Sequence, residues 1–115
     1  MGELPDVVKT IALHNKLDES REFATFVQRE MMAKLRPVNR TLRDLGVKQA
    51  PFVVLIGAAM PSVLTEISFM TNAQDAKLLK SSAYRQKIAE ALFDAVRKYQ
   101  SAVKAATSIA QQSQQ

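Results

Sequence analysis

An α/β fold is the reading this sequence supports first, on three observations: a short apolar run at Pro51 to Ile56, an alternating stretch at Ser62 to Phe69, and a long amphipathic repeat from Tyr84 to Val103. Apolar, β-branched runs of that length suit buried strands, whereas spacings of three and four suit a helix that covers them. The 115 residues, 47% hydrophobic and 23% charged, suffice for one domain and no more. Sixteen Lys and Arg against 11 Asp and Glu leave a net charge of +5, which favours acidic partners without naming one. No stretch reaches the roughly 20 apolar residues of a membrane span, and MGELPDVVK has neither the basic nor the apolar region of a signal peptide. Zero Cys excludes a disulfide framework, a thiolate nucleophile and a Cys-based zinc site, and a single His excludes any metal site needing two.

The elements follow in order. Val7, Val8, Ile11, Ala12 and Leu13 predict a short first helix over 5–16, with Pro5 suited to its first turn. Asp18 or Ser20 can cap a second helix, whose stripe of Phe23, Phe26, Val27, Met31 and Leu35 runs until Pro37 stops it. Residues 36–48 carry Pro, Asn and Gly punctuation and read as a connector. From Lys34 to Lys48, five bases (Lys34, Arg36, Arg40, Arg43, Lys48) face one acid, Asp44, a local net of +4. That is either a solvated face or a polyanion-binding patch, and with no aromatic residue interleaved it lacks the stacking partners of a single-strand nucleic-acid binder.

The first strand is expected over Pro51–Ile56 and the second over Ser62–Phe69, with Leu64, Glu66 and Ser68 on one side and Val63, Thr65 and Ile67 on the other. Asn72 caps a short helix over Ala73–Lys80, with Asp75 near its start. After Ser81 and Ser82 comes the longest helix, with Tyr84, Ile88, Ala91, Leu92, Ala95, Val96, Tyr99 and Val103 on the face that most simply covers the sheet. Residues 1–104 form the ordered part, and the polar tail 105–115 is expected to fray or be disordered.

Phosphate loops, HExxH helices and nucleophile elbows are absent, and Gly2, Gly46 and Gly57 stand alone. Glu66 is the unusual residue, because a carboxylate amid VLTEISF is costly to bury without a cation or a proton. It is either a structural acid, ion-paired or at a strand end, or a catalytic one. His14 is a surface or capping residue; Asp18, Glu19 and Asp75 read as acids at helix starts, and Tyr84 and Tyr99 as core.

Over Gly46 to Tyr99, GVKQAPFVVLIGAAMPSVLTEISFMTNAQDAKLLKSSAYRQKIAEALFDAVRKY, the sequence closely resembles the C-terminal half of zinc-dependent N-acetylmuramoyl-L-alanine amidases of the type 3 family. The ordered blocks are Val54-Leu55, then Pro61 to Phe69 against the family's PSVLVEIGF, then Thr71 to Leu79, then Tyr84 to Tyr99. Upstream, KLDESREFATFVQREMMAKLRPVNRTLRDLGVK, Lys16 to Lys48, looks like the helix preceding this pattern. The resemblance implies an incomplete C-terminal part of a mixed β-sheet flanked by helices, as in phosphorylase/hydrolase-like amidases. It also implies a peptidoglycan substrate and Glu66 as the general base to a zinc-bound water. The family's zinc ligands, a GHGG-type His, a downstream Glu and an S-I-H-A-N-type His, have no counterpart here, and His14 is not one of them. Zinc is therefore expected in an intact parent and not in this chain, which alone should be inactive; the parent would act in the periplasm or cell envelope. Two departures, Ile56 after Val54-Leu55 and Ser68 for the usual Gly, bear on substrate contacts.

An unpaired strand edge predicts self-association or pairing with a complementary N-terminal half. The competing reading is a non-catalytic basic α/β module that binds an anionic cell-wall polymer or a partner protein through Lys34 to Lys48. Glu66 open in a groove favours the amidase; Glu66 locked in an ion pair favours the binder. Nucleic acid is not an expected partner, and no membrane insertion is expected.

Overall fold

The computed structural model describes residues 3–114, and it is built on helices. They are α1 (Glu3–Leu35), α2 (Val53–Ile56), α3 (Ala73–Lys80) and α4 (Ser82–Ser113). No strand forms among the described residues, so the mixed α/β sheet expected from the sequence is not the fold.

The two N-terminal helices expected from the sequence are one continuous α1, 33 residues long. Neither Pro nor Gly occurs between Asp6 and Arg36, so nothing interrupts the ladder, and Asp18 and Glu19 lie mid-helix rather than at a helix start. The end falls before Pro37 as expected. Asn72 caps α3 by accepting from the N–H groups of Gln74 and Asp75, both at 3.0 Å, and Ser81 caps α4 through Tyr84 N–H at 3.4 Å. Beyond Lys104, where the sequence predicts fraying, α4 continues to Ser113 with exposed side chains, because Ala, Ser and Gln sustain a helix where no Gly or Pro breaks it.

Helix α4 covers α1, not a sheet. Lys34 meets Glu90 and Asp94, Glu30 meets Lys98, and Phe23 stacks on Tyr99 with centroids 4.9 Å apart, so the two helices run antiparallel. Their shared core is Val27, Met31, Leu35, Tyr84, Ile88, Ala91 and Ala95, with Phe23, Phe26, Leu42, Val63, Ile67, Leu78, Leu79 and Leu92 packed around it. Both stripes read from the sequence thus form one interface, although Val96 and Val103 at the margin stay exposed.

The connector is pinned to that core by Asn39, only 1% exposed. Its amide Nδ2 donates to the Tyr84 hydroxyl at 3.3 Å, its Oδ1 accepts from Thr41 Oγ1 at 3.1 Å, and its own N–H donates to Leu35 O at 2.8 Å. Gly46 takes a φ of +80°, a conformation glycine adopts without strain, and its N–H donates to Asp44 Oδ1 at 2.9 Å. Gln28 on α1 donates to the same oxygen at 2.6 Å, and this bond, followed by that from Gly46, holds the Asp44 carboxyl below its ordinary pKa.

The first expected strand, Pro51–Ile56, closes into the single turn α2, with Leu55 N–H and Ile56 N–H both donating to Phe52 O at 3.0 Å. An isolated extended run would leave its backbone groups without ladder partners, and a local turn satisfies some of them. The cost is exposure: Val53 is 85% and Val54 71% accessible. The second, Ser62–Phe69, is extended but forms no ladder with any of the described residues. The chain exposes 9085 Å² and has a radius of gyration of 17.8 Å. A compact monomer of this mass would expose about 6,300 Å² with a radius of about 13 Å, so the helices form a layer rather than a closed globule.

The Lys34–Asp94 pair, at 2.9 Å, gives a pH expectation. The Lys34 bond holds Asp94 below its ordinary carboxylate pKa, so the stabilisation is present above about pH 4 and fades as pH falls through the folded value. Asp94→Asn should therefore flatten the acid limb of a plot of unfolding midpoint against pH. An unchanged limb in that variant would remove Asp94 from the account.

Candidate functional site

Glu66 sits near the middle of the extended segment Pro61–Phe69, and the alternation read from the sequence holds from Val63 to Ile67 but not at Ser68, which is half-buried rather than outward. Val63 and Ile67 pack against the α1/α4 core, while Leu64 and Glu66 face outward and are exposed. The costly burial that made Glu66 conspicuous does not occur, since only one face of the segment is covered. The ion pairs among the described residues, Lys34–Glu90, Lys34–Asp94 and Glu30–Lys98, do not involve it.

Three side chains hold the segment and its approach. Lys16, on α1, donates through Nζ to Leu55 O at 2.9 Å and to Ile56 O at 3.3 Å. Ser20, one turn later, accepts through Oγ from Ser62 N–H at 3.0 Å. At the far end, Asp75 Oδ2 accepts from Phe69 N–H at 3.3 Å, from the first turn of α3. Sequence reasoning had Ser20 and Asp75 only as helix-start residues and gave Lys16 no role. Asp75 keeps its expected position and adds this contact; Ser20 does not cap a helix at all.

Two open depressions flank the core, and Glu66 lines neither. One of about 600 Å³ lies between α1 and α4, bounded by Glu19, Glu22, Pro61, Tyr99, Ala102 and Ala106 among others. Burial, then the charges of Glu19 and Glu22, push the Tyr99 phenol pKa up there. The other, beside α3, is lined by Ala73, Gln74, Lys77, Leu78 and Ser81. His14 lies exposed on α1, and no group of three or more His, Cys, Asp or Glu among the described residues could hold a metal ion. The side chains present therefore do not fit a zinc site. In the basic stretch, Lys34 is engaged with Glu90 and Asp94, while Arg36, Arg40, Arg43 and Lys48 are exposed.

The arrangement is a helical layer that presents one carboxylate outward from a docked, strand-like segment. The family described as N-acetylmuramoyl-L-alanine amidase matches residues 8–98, and the chain belongs to that family. It is 37% identical over 94 residues to the N-acetylmuramoyl-L-alanine amidase AmiA of Escherichia coli K12, covering 82% of this chain and 29% of that protein. It is 41% identical over 80 residues to the N-acetylmuramoyl-L-alanine amidase LytC of Bacillus subtilis 168, covering 70% and 15%. The uncharacterized protein YqiI of the same Bacillus strain is 38% identical over 82 residues, covering 71% and 37%. The chain thus spans between 15% and 37% of the length of these relatives. No solved structure matches it, and no helix among the described residues is long and apolar enough to cross a membrane.

Proposed function

We propose that this chain is the base-bearing part of a peptidoglycan amidase, a hydrolase of the amide between N-acetylmuramic acid and L-alanine, with Glu66 as general base. The observation that carries the reading is the family match over 8–98 together with Glu66 standing outward on PSVLTEISF. In that role the Glu66 carboxylate takes a proton from the water that attacks the lactyl carbonyl. The C–N bond then breaks, and the proton passes to the departing amine of L-alanine. The zinc that the family resemblance implies would have to be held by residues other than the described ones, among which no group of three or more His, Cys, Asp or Glu could hold it. An enzyme with this substrate works at the cell wall, so the envelope or periplasm is its place of action. The binding alternative draws support from the exposed Arg40, Arg43 and Lys48. Glu66 is neither in a groove nor in an ion pair among the described residues, and the family match is what favours the amidase.

A chimera in which this chain replaces the matching part of E. coli AmiA provides the test. Purified peptidoglycan is supplied, and newly released L-alanine amino groups are counted. Glu66→Gln should lower kcat by about 10²- to 10⁴-fold, the range general-base catalysis contributes. Undiminished release by that variant would overturn the assignment.

A further inference from the structure

We propose that Ser20 and Asp75 are positioning residues for Glu66, tethering the two ends of the extended segment that carries it; the inference rests on Glu66 being the base. The segment Ser62–Phe69 forms no backbone ladder with the described residues, and its apolar contacts come from alternate residues, Val63 and Ile67. Such packing fixes which face is down but only weakly fixes position along the segment axis. A slide of two residues keeps Val63 and Ile67 on the covered face, yet at about 3.3 Å per residue it carries Glu66 more than 6 Å away.

The two polar tethers remove that freedom. Ser20 Oγ holds Ser62 N–H at 3.0 Å from α1, four residues before Glu66, and Asp75 Oδ2 holds Phe69 N–H at 3.3 Å from α3, three residues after it. Because they come from different helices, they fix the segment at both ends and set it against α1 and α3 together. A general base works only within about 2.6–3.2 Å of the proton it takes, and a displacement of 1 Å can cost about 10²-fold in rate. Neither side chain needs to touch substrate to matter.

The test has two arms. In the first, the full chain is followed by NMR hydrogen exchange and backbone order. Ser20→Ala should accelerate exchange of the Ser62 amide, and Asp75→Ala that of Phe69, by about tenfold each, with lowered order over 63–68. Ser20→Thr and Asp75→Asn keep an acceptor oxygen and should restore both. The amides of Ile88 and Ala91 report whether the helical core is intact.

In the second arm, the AmiA chimera carrying Ser20→Ala should lose about tenfold or more in kcat with KM little changed, and Ser20→Thr should recover it. Unchanged order over 63–68 in both alanine variants overturns the proposal, as does looser order without a fall in kcat while Glu66→Gln is inactive. If Glu66→Gln stays active, the base assignment fails instead, and the exchange arm still decides whether the tethers exist.

Discussion

Leu35→Ala is expected to destabilise the chain by about 2–5 kcal/mol, the usual range for emptying a buried Leu site. Leu35 is 1% exposed and lies in one cluster with Val27, Met31, Tyr84, Ile88, Ala91 and Ala95. Its carbonyl also accepts from Val38 N–H at 3.1 Å and Asn39 N–H at 2.8 Å, so a shift of the α1 terminus disturbs the connector as well. Small domains hold only about 5–15 kcal/mol in all, so this one loss removes a large share of the stability. Urea unfolding followed by helical circular dichroism measures it. Val53→Ala, at a residue 85% exposed, is the contrast and should move stability by no more than about 0.5 kcal/mol. Equal effects from the two would mean that the core lies elsewhere.

The second large effect comes from adding volume. Ala91 and Ala95 have no exposed surface, and both stand where α4 meets α1. Alanine at such positions lets two helices approach to about the short end of the 8–10 Å range. Ala95→Leu should cost about 1–3 kcal/mol or more, because a rigid helix pair cannot yield to three extra carbons without losing neighbouring contacts. Weakened Phe23–Tyr99 stacking, now at 4.9 Å, should accompany it and be visible in near-ultraviolet circular dichroism. A variant as stable as the parent would show that the interface has slack there.

Both expectations rest on stripes that were legible in the sequence. Phe23, Val27, Met31 and Leu35 on one helix, and Tyr84, Ile88, Ala91 and Ala95 on the other, repeat at helical spacing, and the structure buries most of them. The cap at Asn72 was legible for the same reason, since capping is decided within four residues. So was the alternation around Glu66, which depends only on an extended backbone. The acid itself stands out in the sequence for a burial that the structure does not show, and the catalytic role proposed for it rests on the family resemblance.

The sequence alone therefore determined the helical stripes, the Asn72 cap, the connector and the family to which the chain belongs, because those are local patterns or ordered blocks of residues. Only the tertiary structure decided what the stripes face, that Pro51–Ile56 turns while Ser62–Phe69 stays extended with no ladder to the described residues, and that Ser20 and Asp75 reach the segment bearing Glu66. The physical reason is that a strand is not a local object. Its backbone groups need a partner chain alongside, and β-branched composition cannot supply one. A hydrogen bond across 42 residues, such as Ser20 to Ser62, likewise exists only once the helices have packed.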